Sequence, residues 1–377
     1  MNDPFYAAQL QAWERSAHLR RLPEDYPDGL WIRRGEQCLW NLSGNDYLGF
    51  AADQDAQQAA AQAAAGLPLT ASSSRLLTGN HAAAEALEQD LAQAYRRPAL
   101  LFNSGYHANL GLIPALFGKE TLILADKAVH ASMIDGIRLS AAKHLRFRHN
   151  DIAHLRSLIE KHQHQFRTIA ILTESVFSMD GDLADLPALA ALKREFPHIM
   201  LYVDEAHGFG VYGRDGLGVA QATDTLPEID IITATFGKAA ASYGAFAILS
   251  PSLKAYAVNR ARTLIFSTAL PAAQVAVSRA MFARVQSARA ERERLHRLGQ
   301  IFRQHLHAPD GAPHIVPQII GTDADTAAYA HKLQGHGFYC LPIRPPTVPV
   351  GTARIRFSLN AALPEAALQD LLAIVSA

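Results

Sequence analysis

Two cysteines, Cys38 and Cys340, are all the thiol chemistry in the 377 residues. Two thiols so far apart build neither a disulfide framework nor a CxxC redox or zinc motif, and they fit a reducing compartment. Net charge is missing too. The 35 basic residues balance 35 acidic ones, which leaves no electrostatic footprint for nucleic acid or an anionic membrane. No apolar run approaches the roughly 18 residues needed to span a bilayer. The N-terminal stretch MNDPFYAAQLQAWERSAHLRRL has no long apolar centre and no cleavage-site pattern, so it reads as an amphipathic helix rather than a secretory signal. A soluble, cytoplasmic chain is expected. The sequence also lacks a GxSxG nucleophile elbow, a Walker A loop, an HExxH motif, internal repeats and low-complexity tails.

What is present is enough chain, at 49% apolar content, to bury a large core and form two domains or one with an appendage. Residues 5–22 read as a helix and Trp31–Leu42 as a hairpin turning at Arg34-Gly35-Glu36. From residue 99 the pattern is strand, loop, helix, repeated, with strands at 99–102, 121–125, 144–147, 168–173, 200–203 and 230–234. Such alternation predicts a mostly parallel central sheet sandwiched by helices. Functional groups of such sheets collect at the strands' C-terminal ends. Gly105, His130, Glu174, Asp204, His207, Thr235 and Lys238 all fall there. Beyond residue 270 one long helix, Leu270–Leu306, leads into a smaller α/β unit with strands at 317–321, 338–343 and 354–359. The expected organisation is an N-terminal helical arm and hairpin over 1–45, a large domain over 46–268 and a small C-terminal α/β domain over 269–377.

The chain is organised around IDIITATFGKAAASYGAFAILS at 229–250, which reads as strand, tight turn, strand, with Lys238 in the turn. A lysine between two apolar strands is costly unless its amine is neutral, paired or covalently bonded. Covalent attachment to an aldehyde cofactor is the economical explanation; a solvated turn is the bland one. Asp204 and His207 in LYVDEAHGFG end another buried strand, where a carboxylate needs a cationic partner such as a protonated pyridine nitrogen. An N-cap aspartate with a structural histidine would look the same, and a metal site lacks a third ligand at useful spacing. Ser104-Gly105-Tyr106 opens a helix, where free N–H groups suit a phosphate, with Thr235 able to add a hydroxyl. His130 has a structural alternative. Arg354 and Arg356 share one face of a strand and need anions, either a substrate carboxylate or an internal salt bridge. Gly208-Phe-Gly210-Val-Tyr-Gly213 matches GxGxxG but comes late and opens no helix, so a glycine-rich active-site loop is the better reading. Asn80 reads as a helix N-cap, and His162 and His164 as solvated surface.

In combination, NDYLGF, SRLLTG, FNSGYHAN, HASMIDG, ESVFSMDGD, VDEAHGFGVYG, TFGKA and RPPTVPVGTARIRFSL resemble the successive motifs of the α-oxoamine synthases, a family of fold-type I pyridoxal-phosphate enzymes. The resemblance runs from about residue 20 to the C-terminus. It implies pyridoxal 5'-phosphate held on Lys238, with Asp204 at the pyridine nitrogen, His207 at the phenolate oxygen and His130 stacked on the ring. It implies further cofactor contacts from Gly105, Tyr106, Ser178 and Thr235, and from Thr268 of a second subunit in a homodimer. Asn45 and Arg356 would take the amino-acid carboxylate, and Arg20 and Thr347 would touch substrate. The implied activity is decarboxylative condensation of L-alanine with a pimeloyl thioester, on coenzyme A or an acyl carrier protein, in biotin biosynthesis. Glycine with acetyl- or succinyl-CoA is the alternative, and a silent subunit kept for assembly would have lost the lysine. Two loops depart from the family: Ala71-Ser72-Ser73-Ser74 and Ala239-Ala240-Ala241-Ser242 stand where glycine-rich segments are usual.

Overall fold

Apolar runs without polar alternation, such as Thr121–Asp126, Thr168–Glu174 and Ile231–Thr235, are stable only between two covering layers. In the computed structural model, which describes residues 3–15, 19, 22 and 24–375, they are strands of a seven-stranded sheet. Its order is Ala99–Phe102, Ala245–Ile248, Ile231–Thr235, Ile199–Asp204, Thr168–Glu174, Thr121–Asp126 and Lys143–Phe147. Successive side chains alternate between the two layers. Ile123, Leu172, Tyr202 and Ile231 pack on one face, while Leu122, Leu124, Ile171, Val203 and Ile232 pack on the other.

Six of the seven strands run in one direction, and only Ala245–Ile248 is reversed, pairing antiparallel with both of its neighbours. That reversal makes the Lys238 segment a hairpin connection. It therefore leaves Ile231–Thr235 at the same sheet edge where Asp204 and Glu174 end their strands.

Two smaller sheets flank this one. Trp31–Arg34 and Gln37–Asn41 form the expected hairpin, to which the structure adds Tyr26–Asp28 on one side and Phe338–Tyr339 as a parallel strand on the other. Ile315–Gly321, Ala353–Ser358 and Pro342–Ile343 form the other. The strand expected over 338–343 is thus divided between two sheets.

Other expectations are also corrected. The first helix is Asp3–Arg15, and the part expected over 16–18, 20 and 21 lies outside the described residues. The long helix is two, Ala272–Ser287 and Arg289–His305. The break has a cause: the buried Arg292 guanidinium donates to the carbonyls of Val285 and Gln286 at 2.6 and 3.4 Å, which ends the first helix. His81 rather than Asn80 caps the helix Ala82–Tyr95, its Nδ1 accepting from Ala84 N–H at 3.2 Å. His162 is buried, with Nδ1 3.0 Å from Gln165 Oε1. No helix among the described residues is long and apolar enough to cross a membrane.

Candidate active site

Lys238, Asp204, His207, His130, Gly105, Tyr106 and Thr235 line one pocket of about 180 Å³ at the C-terminal edge of the sheet. Sequence reasoning named each of them, and the parallel strands bring them together. Lys238 Nζ lies 2.8 Å from His207 Nε2. Burial brings the lysine's pKa down to about 8, with the Asp204 and Glu174 carboxylates opposing the shift. About a tenth of the amine is then free at pH 7, far more than for an ordinary lysine, and attack on an aldehyde requires the free form.

His207 owes its tautomer to a residue not singled out from the sequence, Tyr47. The fully buried phenol lies 2.7 Å from His207 Nδ1 and 2.9 Å from Asn45 Oδ1, and receives Arg356 Nη2 at 3.1 Å. A phenol has one hydrogen, and the amide oxygen of Asn45 can only accept it. Nδ1 of His207 must then carry a proton and donate to the phenol, leaving Nε2 to accept from Lys238. Burial, and the Lys238 charge beside it, push the His207 pKa well below its usual value and keep the ring neutral. Tyr47 lies within NDYLGF. Nothing local distinguishes a tyrosine whose hydroxyl bridges two distant segments.

Asp204 Oδ1 accepts from Ala206 N–H at 2.9 Å and Oδ2 from Asn109 Nδ2 at 2.7 Å. Glu174 faces the same pocket, and its buried Oε1 has no partner among the described residues. Burial, reinforced by Asp204, raises its pKa to about 8. His130 caps the helix Ala131–Leu139, and burial lowers its pKa. The helix Gly105–Leu116 is capped by Ser104, which accepts from His107 N–H at 3.2 Å. The N–H groups of Gly105 and Tyr106 precede the first intrahelical donor and point out of the helix end. Thr235 lies across from that helix end: a Cβ at Gly105 would stand in ordinary contact, 3.8 Å, with Thr235 Cβ. These groups fit pyridoxal phosphate. The helix end and Thr235 suit the phosphate, Asp204 and the orphaned Glu174 oxygen suit a protonated ring, and Lys238 suits the aldehyde.

The remaining expected residues stand elsewhere. Arg356 donates from Nε to the Ser178 carbonyl at 2.5 Å and thereby holds the Ser178 loop. Arg354 takes the internal pair instead, with Asp180. Thr268 is exposed, its carbonyl receiving Asn103 Nδ2 at 3.0 Å, and Thr347 is exposed on the proline-rich loop; neither lines the pocket of this single chain. Arg20 lies outside the described residues.

The glycine loop wraps a buried carboxylate. Glu205 accepts from Ser175 Oγ at 2.5 Å and from the N–H groups of Val219 and Ala220 at 3.1 and 2.8 Å. A Cβ at Gly218 would lie 2.5 Å from Glu205 Cδ. Gly210, at φ +83°, lets the loop lie on the lysine turn, for a Cβ there would come within 2.6 Å of Ala239 Cβ. Gly210→Ala is expected to destabilise the protein by roughly 2–4 kcal/mol through left-handed backbone strain and overlap. Adding Ala239→Gly should restore only the overlap part, as thermal or urea unfolding of the double-mutant cycle would read.

A second staple lies behind His130. His149 Nδ1 is 2.8 Å from Asp126 Oδ1 and Nε2 is 2.7 Å from Asp182 Oδ2, with the ring edge-on to Phe177. Asp126 also receives Ala128 N–H at 2.8 Å, so this bridge ties the His130 loop to the Ser178 loop. The hydrogen bonds that the ring donates to the Asp126 and Asp182 carboxylates raise the His149 pKa to about 10. The folded pKa exceeds the unfolded value of about 6.5, so its stabilisation is complete below that pH and fades as pH rises through about 10. His149→Gln should cost roughly 2 kcal/mol at pH 6, with the two unfolding curves converging above pH 10. A constant gap across that range would exclude the charged bridge.

The comparisons agree with this geometry. The family model of class I and II aminotransferases matches residues 38–375. The 8-amino-7-oxononanoate synthase of Haemophilus ducreyi is 49% identical over 383 residues, covering 98% of this chain and 99% of that one. Among solved structures, serine palmitoyltransferase from S. paucimobilis, holding PLP and myriocin, superposes with a TM-score of 0.90 at 27% identity, covering 98% of this chain and 95% of that one. The 8-amino-7-oxononanoate synthase of Francisella tularensis gives 0.74 at 25% identity, covering 90% and 97%. Strand-end lysine, aspartate and histidine on this sheet, in a chain so similar to these proteins over its full length, make it a pyridoxal-phosphate-dependent enzyme of the α-oxoamine synthase type, and it belongs to the class I and II aminotransferase family.

Proposed function

We propose that the chain joins L-alanine to a pimeloyl thioester, releasing the thiol and CO₂, to make 8-amino-7-oxononanoate for biotin biosynthesis. The carrying observation is the Lys238 amine, 2.8 Å from a neutral His207 inside the pocket that holds Asp204 and His130. Pyridoxal phosphate, when bound, supplies the aldehyde for the alanine amine and a conjugated ring that accepts electron density from Cα. The protein's residues do the rest. Arg356, steadied by Tyr47 and the Ser178 carbonyl, holds the alanine carboxylate together with Asn45. Lys238 Nζ removes the Cα proton once its amine is free. Asp204 keeps the ring nitrogen protonated, and His130 Nε2 serves the thioester carbonyl. Thr268, exposed in one chain, is donated to the site of a second copy in a homodimer.

The test is a panel that crosses alanine, glycine and serine with pimeloyl, succinyl, acetyl and palmitoyl thioesters, on coenzyme A and on acyl carrier protein, while reading thiol and CO₂ release. Alanine with the pimeloyl thioester should dominate. The TM-score of 0.90 with serine palmitoyltransferase favours a second reading, serine with a long acyl chain; a clear preference for that pair would replace the first.

A further inference from the structure

Asn109 is 1% exposed and sits one turn into the helix Gly105–Leu116. A side-chain amide has two donors and two acceptor sites, and all four are used here. Nδ2 donates to Asp204 Oδ2 at 2.7 Å and to Ser132 Oγ at 2.9 Å. Oδ1 accepts from Tyr202 Oη at 2.7 Å and from Thr233 Oγ1 at 3.1 Å. The partners come from two neighbouring strands and a second helix, so one side chain joins three elements under the pocket.

The directions of these bonds are forced. Asp204 is a carboxylate and can only accept, which turns the NH₂ toward it and the oxygen toward the two hydroxyls. Ser132 Oγ, already receiving a hydrogen from Asn109, passes its own to His130 Nδ1, 2.8 Å away. Ser132 N–H points at the same nitrogen from 3.2 Å. Nδ1 is therefore an acceptor, and the neutral ring carries its proton on Nε2.

From this arrangement the structure assigns Asn109 as a positioning residue, one amide that sets the Asp204 carboxylate and the tautomer of His130 together. The inference rests on the reading that Asp204 and His130 face the cofactor ring. Neither Tyr202 nor Thr233 enters the pocket; they hold the amide unflipped. The charged and titratable groups facing His130 are Asp204, Glu174, His207 and Lys238 across the pocket, Asp135 on its own helix and Tyr106 on the neighbouring one.

The test compares Asn109→Ala, which loses both arms, with Ser132→Ala, which loses only the arm to His130. The readouts are the dissociation constant of pyridoxal phosphate, the pH titration of its visible absorbance, and the pH profile of Cα hydrogen–deuterium exchange of alanine. Asn109→Ala is expected to weaken cofactor binding about 10- to 100-fold, as losing a hydrogen bond to a charged group does, and to shift both pH curves. Ser132→Ala should keep native cofactor affinity and absorbance while shifting the exchange profile alone. Native affinity, absorbance and profile in a folded but less thermostable Asn109→Ala would reduce the residue to core packing and overturn the assignment. A native exchange profile in Ser132→Ala would overturn it as well, and that variant decides should Asn109→Ala not fold. The underlying reading fails separately: a pyridoxyl group still fixed to the chain by borohydride in Lys238→Ala would sink it whatever Asn109 does.

Discussion

Lys238→Ala lowers turnover at least about 10,000-fold, because two functions leave with one amine. In the proposed function the amine is both the nucleophile that takes the cofactor aldehyde and the base that reaches the alanine Cα. General base catalysis alone contributes roughly 100- to 10,000-fold. The loss should be visible without turnover. Borohydride reduction and digestion should leave a pyridoxyl group on the peptide containing Lys238 in the native protein and none in the variant. The pKa of about 8 adds a pH signature. Capture of the aldehyde by the apoprotein should accelerate with pH up to about 8 and then level off, since only the free amine attacks. The same shift acts on stability in the opposite sense to a salt bridge. The folded lysine binds its proton less tightly than the unfolded one, so its burial is most unfavourable below pH 8. Apo Lys238→Met should therefore unfold at higher temperature than the native apoprotein at pH 7, and this advantage should shrink as pH rises above 8. Turnover near the native rate in Lys238→Ala would refute the assignment.

Asp204→Asn is expected to cost about 100- to 1,000-fold in the rate of alanine Cα exchange, on the order of 3–4 kcal/mol. Asp204 has two oxygens, and each already meets a donor of the protein, Ala206 N–H and Asn109 Nδ2. An asparagine must turn its own NH₂ toward one of them or toward the ring nitrogen, and no orientation satisfies all three. The ring nitrogen would lose the charge that keeps it protonated, so the pH dependence of exchange should move to lower pH while bound alanine persists. Measuring exchange separately from overall turnover isolates this step from product release. Cofactor affinity and exchange that both match the native protein would mean that Asp204 serves the Asn109 network and not the ring.

Much of the site was legible because its residues fall where an α/β sheet puts its chemistry. Each of Gly105, His130, Asp204, Thr235 and Lys238 ends or follows an apolar strand, and a local pattern suffices to place it at a strand end. The two faces of the strand Ala353–Ser358 show the limit of such reasoning. Alternation put Arg354 and Arg356 on one face, yet Asp180 engages the first, while Tyr47 and the Ser178 carbonyl engage the second. Which arginine meets which partner depends on segments about 170 and 300 residues away in sequence. The undivided helix failed for a related reason. The pattern over 270–306 is helical throughout, but Arg292 folds back on carbonyls of the preceding turn, and that competition appears only with both side chain and backbone in space.

By itself, the sequence determined the alternating strands and helices, the mostly parallel sheet, the lysine turn and the chemical types gathered at its edge. These depend on periodicity, turn residues and residue chemistry, all encoded within a few positions. Tertiary structure alone decided the tautomers of His130 and His207, the wrapping of the glycine loop around Glu205, and the roles of Tyr47 and Asn109. Each is a question of which groups meet a buried polar atom. A buried hydroxyl or amide must satisfy partners from several elements at once, and only the assembled core brings those partners within 3 Å or so of one another.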